Sequence, residues 1–174
     1  MRILIAGAAG RLAGIVGEKL VNDGELIGLD VRAQRRGRDF PGSYHRVKRY
    51  THRTVAEVFR KHRPRMLIHL GMRAATASVH SPRRYTQNVL GTRQLLQLCR
   101  RYEVERVVVL GTYHVYGAHE HNPVNIGEDA PLRGGQIFKE LVDVVELDHT
   151  VTNFLWQHRE VSTVLLRAAN IVGP

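Results

Sequence analysis

Alternation of strand-like and helix-like segments along 174 residues predicts an α/β fold built on a doubly wound parallel sheet. Three observations carry the prediction. The apolar run Met1 to Ala6 feeds directly into the glycine turn Gly7-Ala8-Ala9-Gly10-Arg11-Leu12-Ala13-Gly14. An amphipathic pattern of Leu12, Ile15, Val16 and Leu20 follows, and a second apolar run, Leu26 to Leu29, closes on the acidic Asp30. Strand, glycine turn, helix and acid-tipped strand form the opening unit of a Rossmann fold, for which the strand order is 3-2-1-4-5-6.

Each element follows from its local pattern. Apolar runs bounded by turn residues predict strands at Arg2 to Ala6, Leu26 to Asp30, Met66 to Leu70, Arg106 to Leu110 and Thr163 to Leu166, with a weaker one near Tyr44 to Arg49. Helical spacing predicts helices at Leu12 to Asn22, Thr54 to His62, Arg83 to Tyr102 and Phe138 to His158. The chain has no internal repeat, heptad run or low-complexity linker.

An apolar content of 43% over this length suits one core, so residues 1–174 read as a single domain. The opening apolar run stops at Gly7, too short for a signal peptide or a membrane span. Cys99, the single cysteine, lies in the helical run Leu95-Leu96-Gln97-Leu98-Cys99, as a buried thiol in a reducing compartment would, and a cytoplasmic protein is expected.

The net charge of +10 is unevenly placed. Twelve Arg or Lys residues (32, 35, 36, 38, 46, 48, 49, 53, 60, 61, 63 and 65) stand against Asp39 and Glu57 between positions 32 and 65, and the remainder of the chain is balanced. Such a segment could draw an anionic cofactor, an acidic partner, a membrane surface or nucleic acid, or be a solvated arginine-rich face. The solvated face is the expected reading, and nucleic acid is not the expected partner.

The glycine turn is the leading candidate site. Gly7 permits a tight turn, Gly10 lets backbone approach a pyrophosphate, and Ala13 lets helix and sheet pack closely. Arg11 and Leu12 open the helix, whose free N–H groups and positive dipole end would face phosphates. Asp30 stands where a carboxylate accepts hydrogen bonds from ribose hydroxyls, with Val31 and Arg32 beside it. Arg32 could stack on adenine or meet a 2′-phosphate; Asp30 would repel that phosphate, so NAD is expected over NADP. A tight turn without a ligand is the alternative.

Later segments, with the glycine turn, resemble the extended short-chain dehydrogenase/reductase family, which includes NAD-dependent nucleotide-sugar epimerases and dehydratases. Met66-Leu67-Ile68-His69-Leu70-Gly71 resembles the family's fourth-strand motif, Asn88-Val89-Leu90-Gly91-Thr92 its NVxGT helix, and Arg106 to Gly117 its fifth strand with the Ser/Thr-x-x-Val-Tyr-Gly loop. Glu128-Asp129-Ala130-Pro131-Leu132 and the closing Leu165 to Pro174 resemble the segments flanking the catalytic helix. The resemblance implies NAD as cofactor, with Leu70, Gly71 and Asn88 bordering it, and a nucleotide sugar as substrate. It implies a substrate-binding portion beyond Pro174, absent from this chain, and a homodimer is a further expectation.

In the family a tyrosine performs acid/base work on the sugar hydroxyl. A lysine four residues later lowers its pKa, and a Ser/Thr hydroxyl supports the substrate oxygen. Thr112 matches the hydroxyl position, or else satisfies local backbone. The tyrosine does not match: the six tyrosines (44, 50, 85, 102, 113 and 116) all precede Gly117. Counting back from Arg167 by the family's spacing places Asp148 in the acidic slot, Glu140 in the tyrosine slot and Val144 in the lysine slot. A slip of two gives Phe138 and Val142. Lys139 stands four residues after Gly135, and Tyr44 with Lys48 has the spacing in the wrong region. Glu140, His114 and Tyr113 are the substitute acid/base candidates. The family's adenine-side aspartate falls near Arg49.

Other residues read as structure. His119 and His121 lack a third converging ligand, so no metal site is expected. His69 and Tyr116 read as packing, and Phe154 and Trp156 as core or contact with the missing portion. Three functions stay open: an NAD-dependent epimerase- or dehydratase-like oxidoreductase, a non-catalytic NAD-responsive binding or regulatory module, and anion or nucleic-acid binding through residues 32–65.

Overall fold

The computed structural model describes residues 1–34, 39–73 and 82–172. Arg35, Arg36 and Arg38 of the basic segment and Gly173 and Pro174 of the closing motif lie outside the described residues. Six strands form one sheet in the order β3-β2-β1-β4-β5-β6, every neighbouring pair parallel. They are β1 Arg2–Ala6, β2 Glu25–Asp30, β3 Ser43–Arg46, β4 Met66–His69, β5 Arg106–Thr112 and β6 Ser162–Ala168. The helices are α1 Arg11–Leu20, α2 Arg53–His62, the short α3 Pro82–Tyr85, α4 Gly91–Arg101, the short α5 Gly134–Ile137 and α6 Val142–Gln157.

Side chains alternate across a strand, so each strand feeds two cores. Ile3, Ile5, Leu26 and Ile68 pack with Ala13 of α1 and with Phe40 on one face. Leu4, Ala6, Ile27, Leu29, Leu67 and Val107 face the other way, against Val55 and Phe59 of α2, Leu95 and Cys99 of α4, and Leu147 and Val151 of α6. Cys99 is buried there, and burial pushes its thiol up.

Departures from the predicted boundaries have local causes. The third strand pairs only over Ser43–Arg46; Val47 still donates to the Asp30 carbonyl at 2.9 Å, after which the chain turns down so that Val47 and Tyr50 enter the core. β4 stops at His69, while β5 and β6 run further than predicted because they stay paired to Thr112 and Ala168. The helix predicted from Arg83 to Tyr102 is not uniform: a wider π turn, Thr86–Leu90, separates α3 from α4. Gln87 and Asn88 on that turn reach backbone at Gly71 and Arg73, a demand that uniform α spacing does not meet. The helix predicted from Phe138 also starts late. Gly134 fits under the His114 and Val115 carbonyls, a 3₁₀ turn covers Lys139–Leu141, and α6 begins only at Val142. No helix among the described residues is long and apolar enough to cross a membrane.

Candidate cofactor site

The cleft lies where the strand order reverses, between β1 and β4, at the carboxyl ends of the strands. Gly7 follows β1 with φ +89°, and its N–H donates to the Leu29 carbonyl at 2.8 Å. A Cβ there would stand 2.6 Å from the Gly71 N and Cα, so the turn after β1 touches the turn after β4 backbone to backbone. The Gly10 N–H donates back to the Gly7 carbonyl at 2.9 Å, and Gly10 caps α1 in an extended conformation without a side-chain partner. The first turn of α1 carries no acidic residue, so its open N–H groups at Arg11 and Leu12 keep the helix's positive end uncompensated.

Asp30 ends β2 beside this turn, 1% exposed. Its carboxylate accepts from the Ala9 N–H at 2.9 Å and the Arg32 N–H at 2.8 Å, and pairs with the Arg32 guanidinium. Hydrogen bonding to Asp30 raises the Arg32 pKa further. Val31 is half-buried, packed against the core. The Tyr44 hydroxyl donates to the Arg32 carbonyl at 2.7 Å, and burial pushes it up to about 12. Tyr44 thus belongs to the adenine end, as its sequence position requires. Arg49, where the family's adenine-side aspartate falls, is exposed.

On the β4 side, Leu70 is half-buried and its N–H donates to the Ala6 carbonyl at 2.8 Å. His69 lies wholly in the core: its Nε2 is 2.9 Å from the Thr92 hydroxyl and its Nδ1 accepts from the Gly71 N–H at 3.3 Å. Burial lowers its pKa to about 4, so the ring is neutral. Asn88, 0% exposed, spends its amide on both backbone groups of Arg73 and on Asp143, and so holds the segment after β4.

At the end of β5, Thr112 is half-buried; its hydroxyl accepts from the His114 N–H at 3.3 Å and lies 2.8 Å from the His114 Nδ1. Tyr113 is exposed and its ring lies 4.2 Å from that of His114. Val115 and Tyr116 pack against Leu141 and Val144, which brings this loop beside the start of α6. Arg167 pairs with Asp148 at 2.8 Å and donates to the Tyr116 hydroxyl at 2.8 Å. That pair joins β6 to α6. Val144 is 2% exposed in an apolar cluster, and Glu140 lies on the 3₁₀ turn with its carbonyl accepting from Arg84. Phe138 and Val142, the slots after a slip of two, are both exposed.

One polar cluster escaped the sequence reading. Arg84, Asn88 and Asp143 are 6%, 0% and 4% exposed; the guanidinium meets the Asp143 carboxylate through two bonds of 2.9 Å, and the Asn88 amide adds one of 2.6 Å. Asp143 within the apolar run Leu141 to Val145 was the available signal. Among the described residues no group of three or more His, Cys, Asp or Glu converges on a metal position, and the rings of His119 and His121 meet each other at 5.2 Å. The described cations of the basic segment, Arg46 to Arg65, are exposed.

Comparison with known proteins places this geometry. The model of the NAD dependent epimerase/dehydratase family matches residues 3–174. UDP-glucose 4-epimerase of Bacillus subtilis (strain 168) is 30% identical, the match covering 99% of this chain and 53% of that protein. Protein CapI of Staphylococcus aureus is 26% identical over 76% of this chain and 44% of its own length. The structure of Thermus thermophilus UDP-glucose 4-epimerase in complex with NAD superposes with a TM-score of 0.81 at 26% identity, covering 96% of this chain and 54% of that one. That of TunA, an NAD-dependent NDP-hexosamine 5,6-dehydratase, gives 0.80 at 27%, covering 99% and 56%. The chain spans about half the length of the curated relatives it matches. With the family model covering nearly every residue and the reversed-order sheet matching in space, the chain belongs to the NAD-dependent epimerase/dehydratase family, related to enzymes that modify nucleotide sugars.

Proposed function

We propose that the chain binds NAD across the β1–β4 switch point and forms the cofactor half of a nucleotide-sugar-modifying oxidoreductase. The observation that carries this is the Gly7–Gly71 contact, where a Cβ on Gly7 would strike backbone, with the open first turn of α1 on one side and Asp30 at the rim. Gly7, Gly10 and the N–H groups of Arg11 and Leu12 would take the pyrophosphate, Asp30 and Val31 the adenosine, with Arg32 beside them, and Leu70 and Gly71 the wall towards the nicotinamide. NAD, when bound, accepts and returns hydride. The chain's residues supply position and exclusion of water: Asn88 and Gln87 hold the 71–73 segment, and Thr112 presents a hydroxyl beside His114. Asp30 favours NAD over NADP, because a carboxylate repels a 2′-phosphate.

The family's usual pair lacks its tyrosine, since all six tyrosines precede Gly117, and counting back from Arg167 puts Glu140 and the buried Val144 in its slots. That observation favours a second reading, a non-catalytic NAD-responsive binding or regulatory module. Calorimetry with NAD tests what the two share: saturable binding is expected, and no heat and no thermal shift at millimolar NAD would remove both. Incubation with NAD and a panel of UDP- and dTDP-sugars separates them, turnover marking the enzyme. A homodimer is proposed on the groove of about 380 Å³ between α4 and α6, lined by Arg93, Gln97, Glu146, His149 and Asn153. A monomer mass by sedimentation removes that partner. The buried thiol of Cys99 supports a cytoplasmic setting.

A further inference from the structure

Asp30 meets the cleft with its acceptor capacity already used. Oδ2 accepts from the Ala9 N–H at 2.9 Å and from Arg32 Nη2 at 3.1 Å, and Oδ1 accepts from the Arg32 N–H at 2.8 Å and Nε at 3.2 Å. A carboxylate offers about four lone-pair directions, so two amides and one guanidinium fork fill it. The amides are fixed by the turn. The guanidinium is not, since the Arg32 side chain is 56% exposed against 2% for that of Asp30. It lies over the glycine turn, with Nη2 3.7 Å from where a Gly10 Cβ would stand. Tyr44 anchors the Arg32 carbonyl at 2.7 Å and leaves the side chain free to swing about a fixed backbone.

Resting on the reading that an adenosine ribose docks at Asp30, we propose that Arg32 occupies the ribose subsite of the free protein and is its specificity-determining residue. A ligand with an intact ribose diol must exchange its two hydroxyls for the guanidinium on Asp30, whereas a ligand without the diol leaves the pair in place. The exchange is within reach because the guanidinium faces water, where an ion pair contributes little and the freed cation is solvated at once. Arg32 therefore lowers affinity for diol-bearing nucleotides, the reverse of what a cation beside a phosphate ligand would ordinarily do.

Calorimetry on the full chain tests this, with NAD, ADP and 2′,3′-dideoxy-ADP as probes and Arg32→Ala as the variant. The variant is expected to bind NAD and ADP about two- to fivefold more tightly, the size of one ion pair whose cation faces water, and dideoxy-ADP unchanged. The Arg32 Nε–H resonance of the unsubstituted protein is expected to shift on adding ADP and to stay on adding dideoxy-ADP. NAD binding that is unchanged or weaker in Arg32→Ala overturns the proposal alone, because the guanidinium then serves the bound state. No saturable binding of NAD by either protein overturns the cofactor reading, and this proposal with it.

Discussion

Replacing Asp143 with alanine is expected to be among the most destabilising single changes at the start of α6. The Arg84 and Asp143 side chains are 7% and 5% exposed, and three hydrogen bonds of 2.9, 2.9 and 2.6 Å end on the carboxylate. Truncating one partner of a buried ion pair leaves the other charge in a poor solvent, at a cost of about 3–5 kcal/mol. The guanidinium keeps the Glu140 carbonyl, which places the expected loss near the lower end, about 3 kcal/mol. For a domain of this size that lowers the midpoint by about 6–12 °C. Urea unfolding followed by circular dichroism measures it as a lower midpoint at unchanged slope. The double variant Arg84→Met/Asp143→Leu removes both charges; the Asn88 amide and the Glu140 carbonyl then each lose a partner, and the double variant is expected to be more stable than Asp143→Ala alone. A loss below about 1 kcal/mol for Asp143→Ala, or a double variant no more stable than the single one, would refute the reasoning.

Gly7→Ala forces a side chain into φ +89° and a Cβ to 2.6 Å from the Gly71 backbone. The left-handed strain alone costs about 1–2 kcal/mol, and NAD affinity is expected to fall beyond calorimetric detection. Gly14→Ala on the same helix is the control, since a Cβ there meets nothing within 4 Å; it should leave binding intact and add up to about 1 kcal/mol. His69 sets a pH limit: its folded pKa of about 4 lies below the unfolded value of 6.5, so the unfolded chain binds the extra proton between them. Stability is then full above pH 6.5 and falls towards pH 4, by about 3 kcal/mol from this residue. His69→Gln should flatten that part of the unfolding profile, and an unaltered slope would exclude His69 as its source.

What was legible in the sequence was what is local. Met1 to Ala6, the glycine turn, the apolar stripe of α1 and Asp30 are contiguous, and each has a single backbone solution, so strand order and cleft followed. The π turn was not legible, because it answers a request from elsewhere: Gln87 and Asn88 must reach Gly71 and Arg73, and helical spacing is silent about that. Arg84 and Asp143 are 59 positions apart, and nothing in Pro82-Arg83-Arg84-Tyr85 distinguishes the buried arginine from its exposed neighbour. Asp30 was found but its occupant was not, since a rotamer of Arg32 decides it. The bonds from Asn88 to Arg73 and Asp143 were likewise out of reach of a local pattern.

The Asp148–Arg167 pair bears most on function. It joins α6 to β6 through two charge-assisted bonds, so a one-residue slip of α6 would rotate Asp148 away from the guanidinium. Counting back from Arg167 proposes Val144 for the lysine slot, and its neighbours Val115, Tyr116 and Leu141 and its burial exclude a solvated ammonium there. The buried cation nearby is Arg84, which enters from α3, and its charge is met by Asp143 in the first turn of α6. A guanidinium so neutralised does not lower a phenol's pKa as a free ammonium does. Installing tyrosine at position 140 alone would therefore give a phenol without an activating cation, and the cleft's capacity to bind a dinucleotide is structurally independent of any capacity to use it.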